Sequence, residues 1–198
     1  MKGSVRRDGA LLACPTLTAA AMQDSLSRMA QNEPILIDFE ASCLPEYGLS
    51  FPIEVAAARI DGQSRAWLIR PLPVWKTWDW SEEAEALHGI SIATLESEGL
   101  PPEQVLSELT AFVGLREPYS DADLDQYWLE TLCQGIGTRL PFAIRFLGEW
   151  MAARGCTRPE VDAALEEARI RLPQAHLARA DAKRLALVVR LLMENEPA

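Results

Sequence analysis

From Pro34 onward, apolar and polar positions follow strand-like patterns. "ILIDF", "FPIEVAAARID" and "SRAWLIRPL" read as consecutive strands, and Asp61-Gly62 between the second and third is a hairpin signal. A tryptophan-rich connection, "PVWKTWDW", then gives way to helical periodicity. Ser81 is placed to cap "EEAEALH", Gly89 to stop it, and Ser91 to cap "IATLESEG". Pro101 and Pro102 open the amphipathic "EQVLSELTAFVG". Next come a short strand, "EPYSD", and a helix, "ADLDQYWLETLCQG", whose apolar side is expected to hold Leu124, Trp128, Leu129 and Leu132. The remainder reads as three helical stretches, with Pro141 to Phe146 compatible with either a strand or the start of a helix. Strands first and then a strand among helices predict an α/β domain with a mixed sheet.

Residues 1–33 differ from this pattern. A polar start precedes "TLTAAAMQDSLSRMAQN", where Ala21, Met22, Leu26 and Met29 recur at helical spacing, so this part is expected to be a partly helical N-terminal extension to a domain over 34–198. The 198 residues and 48% hydrophobic content are enough for one sizeable core. A formal net charge of -10 argues against broad adhesion to nucleic acid or anionic membrane, leaving room for a local basic groove or bound cations. Cys14, Cys43, Cys133 and Cys156 form no C-x-x-C pair, and reduced thiols in a cytoplasm are the simplest reading. The basic start before "LLAC" is a poor leader, because its apolar stretch falls short of the roughly 7–15 residues of a signal-peptide core. No window approaches the ~18 apolar residues of a membrane span.

Within "ILIDFEASC", alternation sends Asp38 and Glu40 to one side of a strand while Ile35, Ile37 and Phe39 face the other. Two neighbouring carboxylates repel, and burial without a cation favours protonation; Mg²⁺ or Mn²⁺, which take oxygen ligands, turn the repulsion into coordination. About four acid-x-acid pairs arise by chance at this composition, so a solvated strand end is equally compatible with this pair taken alone. Further acids stand in "YSDADLDQYWL". Asp121 and Asp123 suit helix capping, whereas Asp125 lies inside the helix beside apolar residues. His176 precedes Asp181 by five positions, and with two histidines in the chain the pairing is informative, although a solvated histidine at a helix start has the same spacing. Trp75, Trp78 and Trp80 suit either anchoring of a loop or stacking of bases.

The ordered set "IDFEAS", "FPIEVAAARIDG", "EALHGIS", "YSDADLDQYWL" and "HLARADAKRL" resembles the DnaQ-like DEDDh 3'-5' exonuclease family over roughly residues 34 to 190. The resemblance implies a ribonuclease H-like fold, a mixed central sheet flanked by helices. It makes Asp38, Glu40, Asp125 and Asp181 metal ligands and His176 the general base. Ala41, Ser42 and His88 fall in segments that lie near substrate, and Glu54 matches a structural glutamate of the second strand. It also implies two divalent ions, Mg²⁺ or Mn²⁺. Asp38 would bridge them, Glu40 and Asp181 would hold the one that activates water, and Asp125 would help hold the other, through water if not directly. Nucleoside 5'-monophosphates would be released from 3' ends of single-stranded or short nucleic acid, DNA or RNA.

Two departures stand out. Ala41 replaces the usual Thr, which leaves a side-chain hydrogen bond to substrate absent or moved to Ser42, and Asp121 replaces the usual Asn. Two other readings stay open: a nuclease of very short oligoribonucleotides, and a catalytically weak exonuclease-fold binding module that docks a protein partner through the N-terminal extension.

Overall fold

The computed structural model describes residues 33–174 and 176–194. The expected N-terminal extension therefore lies outside the described residues. Five strands form one sheet in the order β3-β2-β1-β4-β5. They are β1 (Pro34–Ala41), β2 (Pro52–Arg59), β3 (Ser64–Leu68), β4 (Glu117–Ser120) and β5 (Arg145–Phe146). β1 pairs antiparallel with β2 and β2 with β3, whereas β1 with β4 and β4 with β5 are parallel, so the sheet is mixed as expected. Seven helices accompany it among the described residues: α1 (Glu82–His88), α2 (Ile92–Glu98), α3 (Pro102–Val113), α4 (Leu124–Gly135), α5 (Leu147–Ala153), α6 (Arg158–Arg171) and α7 (Ala178–Glu194). None is long and apolar enough to cross a membrane.

The local chemistry of these elements follows the residues. Gly62 takes φ 93° in the β2–β3 turn, where the Asp61 carboxylate accepts the N–H of Gln63 at 2.8 Å. Ser81 and Ser91 cap α1 and α2 by accepting from Ala84 and Thr94, each at 3.1 Å. Gly89 ends α1 in the left-handed region at φ 70°.

Strand alternation divides the interior into two layers. Ile35, Ile37 and Phe39 of β1 join Val105, Leu109, Leu129 and Leu132 of α3 and α4 on one face. Leu36, Ala56 and Ala58 join Ala182, Leu185 and Val189 of α7 on the other. The small residues Ala56, Ala58, Ala178 and Ala182 are all buried and let α7 lie close against β1 and β2. Each large apolar side chain buried here contributes about 1.5–3 kcal/mol before conformational entropy is counted. Asp38 and Glu40 share the α7 face with Leu36, and that is what brings the last helix to them.

One expectation needs amendment, and two open alternatives are resolved. Leu124, the first residue of α4, is 36% exposed; Trp128, Leu129 and Leu132 do line the core. The Pro141–Phe146 stretch supplies only a two-residue strand, Arg145–Phe146, with α5 starting at Leu147. The tryptophans anchor the connection after β3: Trp75 is fully buried and stacked on Phe51 at 5.7 Å, while Trp78 and Trp80 pack against the same layer.

Candidate active site

β1 runs beyond the end of its partner on one side. Its parallel pairing with β4 covers only Pro34 to Leu36, so the backbone at Phe39 needs another acceptor. Asp125, in the first turn of α4, supplies it, with Oδ1 accepting the Phe39 N–H at 2.9 Å. The other oxygen accepts the Ser120 hydroxyl. Asp125 is thus tied to the strand that carries Asp38 and Glu40 and is only 2% exposed.

The three carboxylates of Asp38, Glu40 and Asp181 offer oxygens that all lie within 4.8 Å of one another. Asp181 comes from the first turn of α7. Glu54 stands opposite Glu40 in the β1–β2 register and accepts the Ala178 N–H of α7 at 3.1 Å, which fixes the start of that helix to the sheet. Glu54 is therefore a structural link beneath the group.

The electrostatics are those of crowded anions. Burial lifts the Asp38 carboxyl well above the usual carboxylate range, and Asp125, Glu40 and Asp181 raise it further. Glu40 is pushed up to about 7, by burial first and then by Asp181, Glu54 and Asp125. Asp125 also rises to about 7 through burial, against the lowering effect of the Ser120 hydroxyl and the Phe39 amide. A divalent cation fits this group: every donor is a hard carboxylate oxygen. Mg²⁺–oxygen distances of about 2.1 Å require ligand oxygens no more than ~4.2 Å apart, a separation that small side-chain rotations reach.

Beside the carboxylates opens a cleft of about 370 Å³, lined by Asp38, Asp121, Asp181 and Arg184 and by Asp162 and Glu166 of α6. Asp121 makes no cap; its carboxyl lines this cleft and is raised by burial, with Asp181 adding to the rise and Arg184 opposing it. Asp123 holds the N-cap position of α4 without a side-chain cap bond.

The remaining predicted residues fall into different settings. His176 lies exposed in the connection between α6 and α7, at φ 59°, and among the described residues it makes no hydrogen bond to the carboxylates. His88 is 5% exposed; its Nδ1 accepts the Ile90 N–H at 3.0 Å, Trp80 meets its ring edge-on, and its Nε2 has no partner among the described residues. Burial lowers its pKa. Ala41 is buried at the bulge that ends β1. Ser42 has no exposed surface, and its hydroxyl accepts the Phe51 N–H at 3.1 Å. Ser42 is therefore turned into the interior and is not among the residues that line the cleft. Sequence reasoning passed over Arg184, which donates to Asp181 at 2.6 Å, and the acids of α6. The one available signal was the three-residue spacing of Asp181 and Arg184 on a helix.

No protein-family model and no curated protein matches the chain. Among solved structures it is similar to exonuclease I, with a TM-score of 0.65 at 16% identity over 84% of this chain and 42% of that one. The zinc-bound complex of E. coli exonuclease I with single-stranded DNA gives a TM-score of 0.62 at 16% identity, over 84% and 41%. A moderately thermophilic exonuclease I from Methylocaldum szegediense gives 0.60 at 16% identity, over 84% and 41%. The chain thus spans about two fifths of the length of these proteins. At this identity the likeness establishes the fold, a mixed sheet flanked by helices of the ribonuclease H-like type.

Proposed function

We propose that the chain is a metal-dependent 3'-5' exonuclease of the DEDDh type that acts on single-stranded or short nucleic acid. The observation that carries this reading is the convergence of Asp38, Glu40 and Asp181 within 4.8 Å, with the buried Asp125 tied to the strand behind them. Such a group crowds charge that a bound cation relieves, with protonation as the alternative in its absence. The solved structures of similar fold with single-stranded DNA support the substrate class.

In this reading Asp38, Glu40 and Asp181 hold divalent cations, and Asp125 contributes from behind while keeping β1 in place. Mg²⁺ or Mn²⁺, when bound, supply the charge neutralisation and water activation that phosphodiester hydrolysis needs. His176 accepts the proton of the attacking water on a ring nitrogen, a role that imidazole as a residue type performs near neutral pH. Its side chain is exposed in the connection between α6 and α7. Asp121, Asp162 and Glu166 give the cleft an excess of negative charge over Arg169 and Arg184, which disfavours a grip on many phosphates and favours short or single-stranded ends.

The test is cleavage of 5'-labelled single-stranded DNA and RNA with Mn²⁺, with Mg²⁺ and with chelator, beside His176→Ala. A metal-dependent ladder shortening from the 3' end and lost in the variant is the expected result. No cleavage of either polymer, together with no binding of Mn²⁺ by calorimetry, would overturn the proposal.

A further inference from the structure

Arg184 stands where the carboxylate group meets the connection that carries His176. Its Nη1 donates to Oδ1 of Asp181 at 2.6 Å, and its Nε donates to the carbonyl of Leu172 at 3.1 Å. Oδ2 of Asp181 in turn accepts the N–H of Leu177 at 3.2 Å. Leu172 follows the last residue of α6 and Leu177 precedes the first residue of α7. The pair Arg184–Asp181 therefore holds Leu172 and Leu177, which stand on either side of His176. The two side chains are only 19% and 21% exposed, so the pair is shielded from the screening that makes surface ion pairs weak.

Resting on the exonuclease reading above, we infer that Arg184 is a positioning residue. Its guanidinium orients the Asp181 carboxylate toward Asp38 and Glu40 and holds Leu172 and Leu177, on either side of His176, in register with them. Arginine suits the task because its planar fork donates in two fixed directions at once, whereas lysine offers the charge without the fork. Asp181 keeps room for a cation, since a carboxylate accepts at roughly four lone-pair sites and Leu177 and Arg184 use two.

The role has an uncommon signature. A guanidinium beside a cation site repels the cation, so its charge weakens metal binding even as its geometry promotes turnover. Arg184→Met is expected to tighten Mn²⁺ binding by ~3- to 10-fold, from the loss of one positive charge within several ångströms. The same variant is expected to lower kcat by ~10- to 100-fold with KM little changed, as misplacement of reacting groups does. Arg184→Lys keeps the charge: Mn²⁺ affinity stays near that of the wild type while kcat remains low. In both variants the Leu177 amide exchanges with solvent faster, since the carboxylate that accepts its proton is no longer held.

The experiment measures free Mn²⁺ by electron paramagnetic resonance, single-turnover cleavage of a labelled oligonucleotide, and hydrogen exchange at Leu177 with chelator present, on the full chain and both variants. Tighter metal with slower turnover in Arg184→Met, and faster Leu177 exchange in both, is the expected pattern. Loss of Mn²⁺ affinity in step with turnover, unchanged turnover, or unchanged Leu177 exchange would overturn it. Should Arg184→Met fail to fold, Arg184→Lys decides by the same turnover and exchange readings. If the wild type binds Mn²⁺ but cuts no nucleic acid, the exonuclease reading falls, and the exchange comparison still decides whether Arg184 holds Leu177.

Discussion

Asp125→Asn separates what the carboxylate does for the fold from what it does for chemistry. Asparagine keeps the size of the side chain and an oxygen to accept the Phe39 N–H, and its amide can donate to the Ser120 hydroxyl, so both hydrogen bonds survive in altered form. Only the charge is lost. In the folded protein Asp125 titrates near 7, against 3.8 for the ordinary group. Between those values the folded state binds more protons than the unfolded state, so its contribution to stability is fully present below about pH 4 and falls as pH rises toward 7. Above pH 7 the penalty is complete. At ~1.36 kcal/mol for each pH unit the full effect is on the order of 4 kcal/mol, of which about 2–3 kcal/mol develops between pH 5 and pH 8.

With chelator present, Asp125→Asn should therefore gain about 2–3 kcal/mol over the wild type on going from pH 5 to pH 8, or roughly 5–10 °C in Tm for a domain of this size. Urea unfolding at the two pH values measures it directly. Excess Mn²⁺ should narrow the difference at pH 8, because a ligand at a hundred times its Kd adds about 2.7 kcal/mol to the protein that binds it. A variant less stable than wild type at pH 8, or a difference that does not change with pH, would refute the reasoning that buried, crowded charge is what Asp125 carries.

Other consequences can be checked alongside. Asp38→Ala should abolish Mn²⁺ binding by calorimetry, whereas His176→Ala should leave Mn²⁺ affinity near that of the wild type and lower turnover by ~10²-fold or more. The acidic cleft should make few phosphate contacts, so the slope of log affinity against log salt for a single strand should be shallower than about -4; a steeper slope, corresponding to six or more contacts, would contradict it. Trp75→Ala should destabilise the protein by about 3–5 kcal/mol in urea unfolding, since its fully buried ring is stacked on Phe51.

Much of this arrangement was readable because strands and helices write their contacts at short range. Alternation alone put Asp38 and Glu40 on one side of β1, and the same period put Ile35, Ile37 and Phe39 against α3 and α4. Capping serines and the Asp61-Gly62 turn act within a few residues, and they occur where the chain announces them. Leu124 was misplaced because helical periodicity does not tell how far toward its ends a helix stays in contact with the core. β5 was ambiguous because two residues carry no period.

The parts of the site that escaped the sequence are those made only by packing. Asp121 looked like a cap because a polar residue before a helix usually is one, yet the turn from β4 into α4 points its carboxyl across the cleft toward Asp181. The acids of α6 carry no signal in the sequence, and they reach the cleft only because α6 lies beside α7. Ser42 looked free to replace a missing hydroxyl, but the bulge after Glu40 turns it inward to Phe51. Arg184 resembled any i,i+3 partner on a helix, and its reach to Leu172 depends on how α6 ends. Strand and helix periods thus locate the carboxylates, while the groups that hold them in register come from the connections between elements, whose geometry no local pattern encodes. Repulsion among the carboxylates, to which Glu54 adds at Glu40, makes that register hard to keep, and the bonds from the Ala178 amide to Glu54 of β2 and from Arg184 to Asp181 are the contacts that hold it.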